Sequence, residues 1–323
     1  MPKKIFVTRQ IPDVGLKMLR DKGYEVDVRD KDSMPTSREL VKALKRKPYD
    51  AVVSSWPEPI GAEVFDRFPS VKIYANFTIG YDNIDIAEAK KRGITVTNAP
   101  ALSATEAVAE HAIALMLALA ARIVEADEYV RRGKYKGWAA MDFIGTDVLG
   151  KTLGLIGAGR IGGRVAHYAR GLGLKVIYND VVRNMNLEND CGAVYRASYE
   201  EVLREADVVS LHVPLLDSTK HLINEKRLQV MKPTSFLVNT SRGPVIDEQA
   251  LVVALKDKTI AGAGLDVFEF EPKLAPGLVK LQNVILTPHI GSASVTARNE
   301  MSTMVAENII NFFEGHVPKN VVN

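Results

Sequence analysis

The chain has 323 residues, 46% of them hydrophobic and 25% charged, with 42 basic residues against 39 acidic ones. That length suits two domains, and a well-mixed charge of +3 offers no basic stripe for nucleic acid. The single cysteine, Cys191, excludes internal disulfides and a cysteine-built zinc site, and no metal is expected. The opening MPKKIFVTRQIPD has only a three-residue apolar run, so it reads as a first strand and not as a signal peptide. The longest apolar run, AIALMLALAA at 112–121, has ten residues, against about 20 for a bilayer span. It therefore reads as a helix buried in a core or an interface, and the chain as a soluble cytoplasmic protein without membrane or nucleic-acid partners.

Taken in order, KIFVTR (4–9), EVDVRD (25–30), AVVSS (51–55), KIYANF (72–77) and TVTN (95–98) are predicted strands. Helical stretches such as VGLKMLRDKG and RELVKALKRK lie between them. Strands separated by single helices argue for a parallel sheet covered on both faces. One long helix is predicted from about 101 to 130. The alternation then restarts at 152 with TLGLIG, KVIYND, VVSLHV, SFLVNT, AGAGLDV and VILTPH. These strands are nearly continuous in Val, Ile and Leu, as buried parallel strands should be. The final segment, SVTARNEMSTMVAENIINFFEG, reads as an amphipathic helix returning to the first domain. The expected fold is α/β, with two doubly wound parallel sheets. A Rossmann domain (100–290) is inserted into a flavodoxin-like domain built from 1–99 and 291–323.

Gly157, Gly159 and Gly162 form G-x-G-x-x-G between a strand and a helix, in the context that dinucleotide binding demands. Gly157 permits the turn, Gly159 lets the backbone approach a pyrophosphate, and Gly162 lets helix and strand pack closely. The next strand ends in Asp180, whose carboxylate suits ribose hydroxyls and repels a 2′-phosphate. NAD is therefore expected over NADP, with nearby Arg183 as the residue that argues the other way.

In open parallel sheets ligands bind beyond the carboxyl ends of the strands. Those ends carry Pro214, then Thr240, Ser241 and Arg242, then Asp266, then His289. Reducing a 2-oxo acid needs an acid for the carbonyl oxygen, a cation for the carboxylate, and a carboxylate to steady the acid. His289, Arg242 and one of Glu269 or Glu271 meet that need. Histidine titrates near neutrality and a neighbouring carboxylate favours its charged form, while an arginine fork fixes a carboxylate or carbonyl. His212 is the rival proton donor. Trp56 follows the third strand and either borders the substrate or caps the first domain's core.

These segments resemble the D-isomer-specific 2-hydroxyacid dehydrogenase family. NFTIGYDNIDIAEAKKRGITVTN, VAEHAIALMLALAAR, GAGRIGG, NTSRGPVIDEQALVVAL, AGAGLDVFEFEP and VILTPHIGSAS occur in the family's order. The resemblance implies that Arg242 binds substrate, that Glu271 partners His289 as acid/base, and that Glu269 is a surface residue. It implies a cofactor site from Gly157, Ala158, Gly159, Arg160, Ile161, Gly162, Asp180, Pro214, Thr240, Ser241, Arg242, Asp266, His289 and Gly291. The amides of Ile79 and Gly80 would hold the substrate carboxylate. VTRQIPD and ANFTIGYDNIDI are most similar to the glyoxylate/hydroxypyruvate reductases, which implies that activity. D-lactate-type and D-3-phosphoglycerate dehydrogenases share the same catalytic residues, and an NAD-sensing interaction module is the non-enzymatic alternative. Asp180 is followed by Val181 where proline is common, and Asn179-Asp180 stands where reductases of this subgroup often carry an NADP-selecting Ser-Arg. WAAMD partly matches a segment reaching the partner subunit's site, which would make Trp138 a substrate residue or else a packing one. A homodimer through the helix beginning near Leu102 is expected, because ALMLALAARIV is apolar on nearly all faces.

Overall fold

A computed structural model of the chain describes residues 1–31, 33 and 35–323. The chain divides into two units, Met1–Ala104 with Ser292–Asn323, and Thr105–Gly291.

The first unit alternates strand and helix: β1 (Lys4–Val7), α1 (Asp13–Asp21), β2 (Glu25–Val28), α2 (Ser37–Leu44), β3 (Ala51–Ser54), α3 (Ala62–Arg67), β4 (Ile73–Asn76), α4 (Ile86–Lys91) and β5 (Thr95–Thr97). The strands form one parallel sheet in the order β2-β1-β3-β4-β5, the flavodoxin-like doubly wound order. β3 and β4 are buried at every residue, which explains why their sequences do not alternate. α2 starts at a capping box, in which Thr36 accepts from the Glu39 amide while the Glu39 carboxylate accepts from the Thr36 amide. The C-terminal helix α12 (Val295–Phe313) belongs to this unit and packs on α1. A Cβ at Gly15 would stand 2.1 Å from the Ser302 carbonyl oxygen, so only glycine allows that approach.

The second unit contains β6 (Thr152–Ile156), α7 (Arg160–Gly171), β7 (Lys175–Asn179), α8 (Met185–Cys191), β8 (Val194–Tyr195), α9 (Tyr199–Glu205), β9 (Val208–Leu211), α10 (Glu225–Leu228), β10 (Phe236–Asn239), α11 (Glu248–Lys256), β11 (Gly262–Leu265) and β12 (Val284–Leu286). The sheet order is β12-β11-β10-β9-β6-β7-β8, with the Rossmann switch point between β6 and β9. Both faces are covered. Leu153, Leu155, Val176 and Tyr178 point into one core while Ile156, Ile177 and Val209 point into the other, the period of two expected of a strand. A fully buried side chain of this kind contributes about 1.5–3 kcal/mol.

The single helix predicted over 101–130 is two helices, α5 (Leu102–Ala120) and α6 (Ile123–Arg131). Arg122 takes a left-handed conformation, φ 54°, and the Ala120 carbonyl accepts from the Thr146 amide at 2.8 Å. That bond takes the acceptor a continuing helix would need. α5 has the length and apolar composition of a bilayer span, yet half of it is buried in the fold. Ala109, Ala112, Leu115, Met116 and Leu119 lie in the second unit's core. The two-residue edge strand β8 was not expected either.

Candidate active site

The glycine-rich turn connects β6 to α7. Gly157 has φ 95°, and a Cβ there would meet the His212 carbonyl oxygen at 2.6 Å, so both conformation and space require glycine. A Cβ on Gly162 would meet the Gly157 carbonyl at 2.1 Å, whereas nothing lies within 4 Å of one on Gly159. Gly159 caps α7 without a side-chain hydrogen bond, so the first amides of that helix face a cradle that a pyrophosphate suits. Ala158 is buried inside the turn, Ile161 half-buried and Arg160 exposed at the helix start. The Ala158 amide donates to Asp180 Oδ2 at 2.7 Å, fixing the carboxylate at the end of β7 beside the turn. Arg183 is held elsewhere. It forms a two-pronged pair with Glu188, at 2.6 and 2.7 Å, and the Arg183 guanidinium with the Tyr178 hydroxyl holds the Glu188 carboxyl down at about 2.

Beyond β10, Asn239 shapes the Thr240–Arg242 turn by accepting from the Ser241 amide at 3.0 Å and donating to the Arg242 carbonyl at 2.9 Å. The Thr240 hydroxyl is buried and has no hydrogen-bond partner among the described residues, an orphan that a bound cofactor would satisfy. These features fit a dinucleotide. Pro214, after β9, is exposed, and its carbonyl accepts from Thr219 at 2.6 Å. His212 pairs with Ser210 at 2.9 Å, and burial pushes its imidazole down to about 4. It is therefore neutral near pH 7 and unsuited to the acid role.

Arg242 donates to the Ser241 carbonyl at 2.8 Å and precedes Gly243. A Cβ on Gly243 would lie 1.9 Å from the Phe268 carbonyl, so the arginine's loop is pressed onto the loop that follows Asp266. In that second loop Glu271 Oε1 accepts from the Phe268 amide at 3.0 Å, and Glu271 Oε2 lies 3.0 Å from His289 Nδ1. His289 has φ 54°, a conformation uncommon outside glycine but better tolerated by histidine than by bulkier residues. The sequence left Glu269 and Glu271 open as partners of His289, and the geometry puts Glu271 there. Glu269 is not a surface residue. His221 Nε2 lies 2.6 Å from it and the Glu248 amide donates to it at 3.1 Å, which ties the loop to its neighbours.

Asp266, 1% exposed, holds the turn carrying His289. Its Oδ1 accepts from the Ile290 amide at 2.9 Å and its Oδ2 from the Gly291 amide at 2.8 Å. Sequence reasoning placed Asp266 and Gly291 near the cofactor but missed Asn239 and His111. The signal for His111 was a histidine placed immediately before the apolar run AIALMLALAA.

In the first unit, the Thr78 carbonyl accepts from the Ala99 amide at 2.8 Å and the Ile79 carbonyl from Asn98 at 2.6 Å. Peptide planarity then turns the amides of Ile79 and Gly80 the opposite way. Trp56, half-buried, follows β3. Glu58 two residues later is wholly buried, accepting from Thr8 at 2.8 Å and the Ser55 amide at 3.1 Å. Trp138 is 86% exposed and lies outside any helix or strand.

A dinucleotide cradle joined in one unit to an arginine and a carboxylate-paired histidine defines a nicotinamide-linked oxidoreductase site. Residues 113–291 match the model of the D-isomer specific 2-hydroxyacid dehydrogenase NAD-binding domain. The chain belongs to that family. It is 48% identical to a glyoxylate reductase of Korarchaeum cryptofilum, covering 100% of this chain and 96% of that protein. A glyoxylate reductase of Thermococcus litoralis is also 48% identical, with 100% and 97% covered. Among solved structures, the NADPH-dependent glyoxylate/hydroxypyruvate reductase of Sinorhizobium meliloti, crystallised with NADP and malonate, superposes with a TM-score of 0.86 at 32% identity, covering 100% and 97% of the two chains. The D-lactate dehydrogenase of Aquifex aeolicus, complexed with NAD and lactic acid, gives 0.85 at 31% identity with 99% of each chain covered.

Proposed function

We propose that this enzyme reduces glyoxylate, and more slowly hydroxypyruvate, to the 2-hydroxy acid with NADH. The observation that carries the reading is the 3.0 Å contact between His289 Nδ1 and Glu271 Oε2 in a loop pressed against the loop of Arg242. When bound, NADH supplies the hydride that adds to the carbonyl carbon. His289 gives the proton on Nε2 to the carbonyl oxygen and is left neutral, to be recharged from solvent. Glu271 stays ionised and holds the ring in the orientation that aims Nε2 at the substrate. Arg242 polarises the carbonyl and binds the carboxylate, and in the first unit the amides of Ile79 and Gly80 are assigned as carboxylate donors. Trp56 limits the substrate side chain.

NAD is favoured over NADP because Asp180, held beside the glycine turn by the Ala158 amide, would meet the ribose of a bound dinucleotide, and Arg183 is already committed to Glu188. We also propose a cytoplasmic homodimer. Apolar side chains are exposed along the segment after α5, including Ile123, Val124, Val130, Tyr135, Trp138 and Met141, and a patch of this kind marks an interface. The pairing surface is thus α6 and the stretch after it more than α5, and Trp138 belongs to it.

A panel of 2-oxo acids assayed with NADH and NADPH tests the function. Highest kcat/KM for glyoxylate with NADH supports it. Preference for pyruvate makes the enzyme a D-lactate dehydrogenase, and no turnover with any 2-oxo acid leaves the NAD-sensing role.

A further inference from the structure

The helix α5 crosses β11 at very close range. A Cβ on Gly264 would stand 3.1 Å from Leu115 Cβ and 3.2 Å from Leu119 Cδ1, so the glycine lets the helix settle on the strand. From that contact, one helical turn back along α5 reaches His111, and two residues along β11 reach Asp266. The two steps are each roughly 6 Å, so the residues meet. His111 Nε2 lies 3.0 Å from the Thr287 hydroxyl and 3.3 Å from Asp266 Oδ1.

The direction of these bonds is fixed by proton count. The Thr287 hydroxyl donates its one proton to Asp266 Oδ1 at 2.6 Å. Towards His111 it can only accept, so Nε2 carries a proton and donates. Asp266 meanwhile receives the amides of Ile290 and Gly291, and its carbonyl accepts from the His289 amide at 2.9 Å. The chain from 287 to 291 is therefore wrapped around one buried carboxylate, with His289 held left-handed in the middle. Burial would raise the Asp266 pKa, but hydrogen bonds from His111, Thr287 and Ile290 together bring it below the ordinary carboxylate value.

We propose that His111 is a positioning residue for hydride transfer: by donating to Thr287 and Asp266 it locks the turn that aims the His289 ring. Glu271 sets the rotation of that ring, whereas His111 sets the main chain it hangs from. The proposal rests on His289 being the acid/base. Misplacement of a catalytic group by about an ångström can cost on the order of 100-fold in rate.

The test compares His111→Leu, which keeps apolar volume but no donor, with His111→Gln, whose amide nitrogen takes the place of Nε2. His111→Leu is expected to lower kcat roughly 10- to 100-fold with KM for NADH within about twofold, and to raise the isotope effect with deuterated NADH. His111→Gln is expected to restore most of kcat. A folded His111→Leu enzyme with parental kcat overturns the proposal, as does a His111→Gln enzyme no better than His111→Leu. If His111→Leu does not fold, Thr287→Val, which deletes only the bridging hydroxyl, is judged by the same kcat criterion. A dead His289→Ala beside an unimpaired His111→Leu overturns this inference alone, whereas an active His289→Ala overturns the underlying assignment.

Discussion

Glu271 touches His289 through one oxygen and the amide of Phe268 through the other, so the carboxylate that steadies the imidazole is itself anchored to main chain. His289→Ala is expected to lose about 10²–10⁴-fold in kcat, the usual contribution of general acid–base catalysis, with NADH binding measured by fluorescence titration unchanged. Glu271→Gln keeps the shape and loses the charge. Its kcat should fall roughly tenfold or more, each factor of ten being about 1.4 kcal/mol of barrier. Normal turnover in His289→Ala would dismiss the assignment.

Asp180 and Arg183 lead to a second prediction. In Asp180→Ser the negative charge proposed to meet the ribose is gone, and the kcat/KM ratio of NADH over NADPH should fall by at least roughly tenfold, about 1.4 kcal/mol. Arg183→Ala should leave that ratio within a factor of two, because the guanidinium is engaged by Glu188. A parent enzyme that already prefers NADPH would refute the reading of Asp180.

Much of this was legible in the sequence, and the reasons differ from element to element. β3, β6, β9 and β10 are runs of buried aliphatic residues, and such runs bounded by turns have few other ways to fold. Asp180, Arg242 and His289 were singled out because strand ends in a doubly wound sheet are where ligands bind. The break between α5 and α6 was hidden because Arg122 carries no left-handed signal and the competing Thr146 amide comes from a distant loop. Glu269 looked dispensable because its partner His221 is remote in sequence. Long-range hydrogen bonds of this sort leave no local pattern.

Glu58 gives a pH-dependent prediction. Burial raises its pKa above 4.5, only partly opposed by Thr8, the Ser55 amide, Arg9 and Arg29. The folded state therefore holds this proton more tightly than the unfolded state. Between pH 4.5 and the higher folded value, stability must fall as pH rises. Glu58→Gln can accept from Ser55 and donate to Thr8 without any charge. The Tm of the parent minus that of Glu58→Gln should thus decrease as pH is raised from 4 to 8 in calorimetry. A difference that stays constant or grows would show that Glu58 is not penalised by its burial.

Trp56 sets substrate size in the proposed reading. Trp56→Leu should raise kcat/KM for 2-oxobutyrate relative to glyoxylate, since a methylene of fit is worth about 1–3 kcal/mol. An unchanged ratio in a stable variant would return Trp56 to a packing role.

Light scattering at micromolar concentration should give twice the chain mass of 35.5 kDa. Replacing Val130 and Met141 by aspartate together should shift the protein towards the single-chain mass. A monomeric parent would remove the proposed interface.

The contact between Gly243 and Phe268 has a consequence for how this enzyme can change over time. With 1.9 Å between an added Cβ and the Phe268 carbonyl, the segments bearing Arg242 and Glu271 pack together with no room for a side chain between them. In the proposed reading, charge recognition by Arg242 and proton delivery through Glu271 and His289 share that one packed seam. On that reading, substitutions that change specificity without costing the reaction are expected at positions outside that seam.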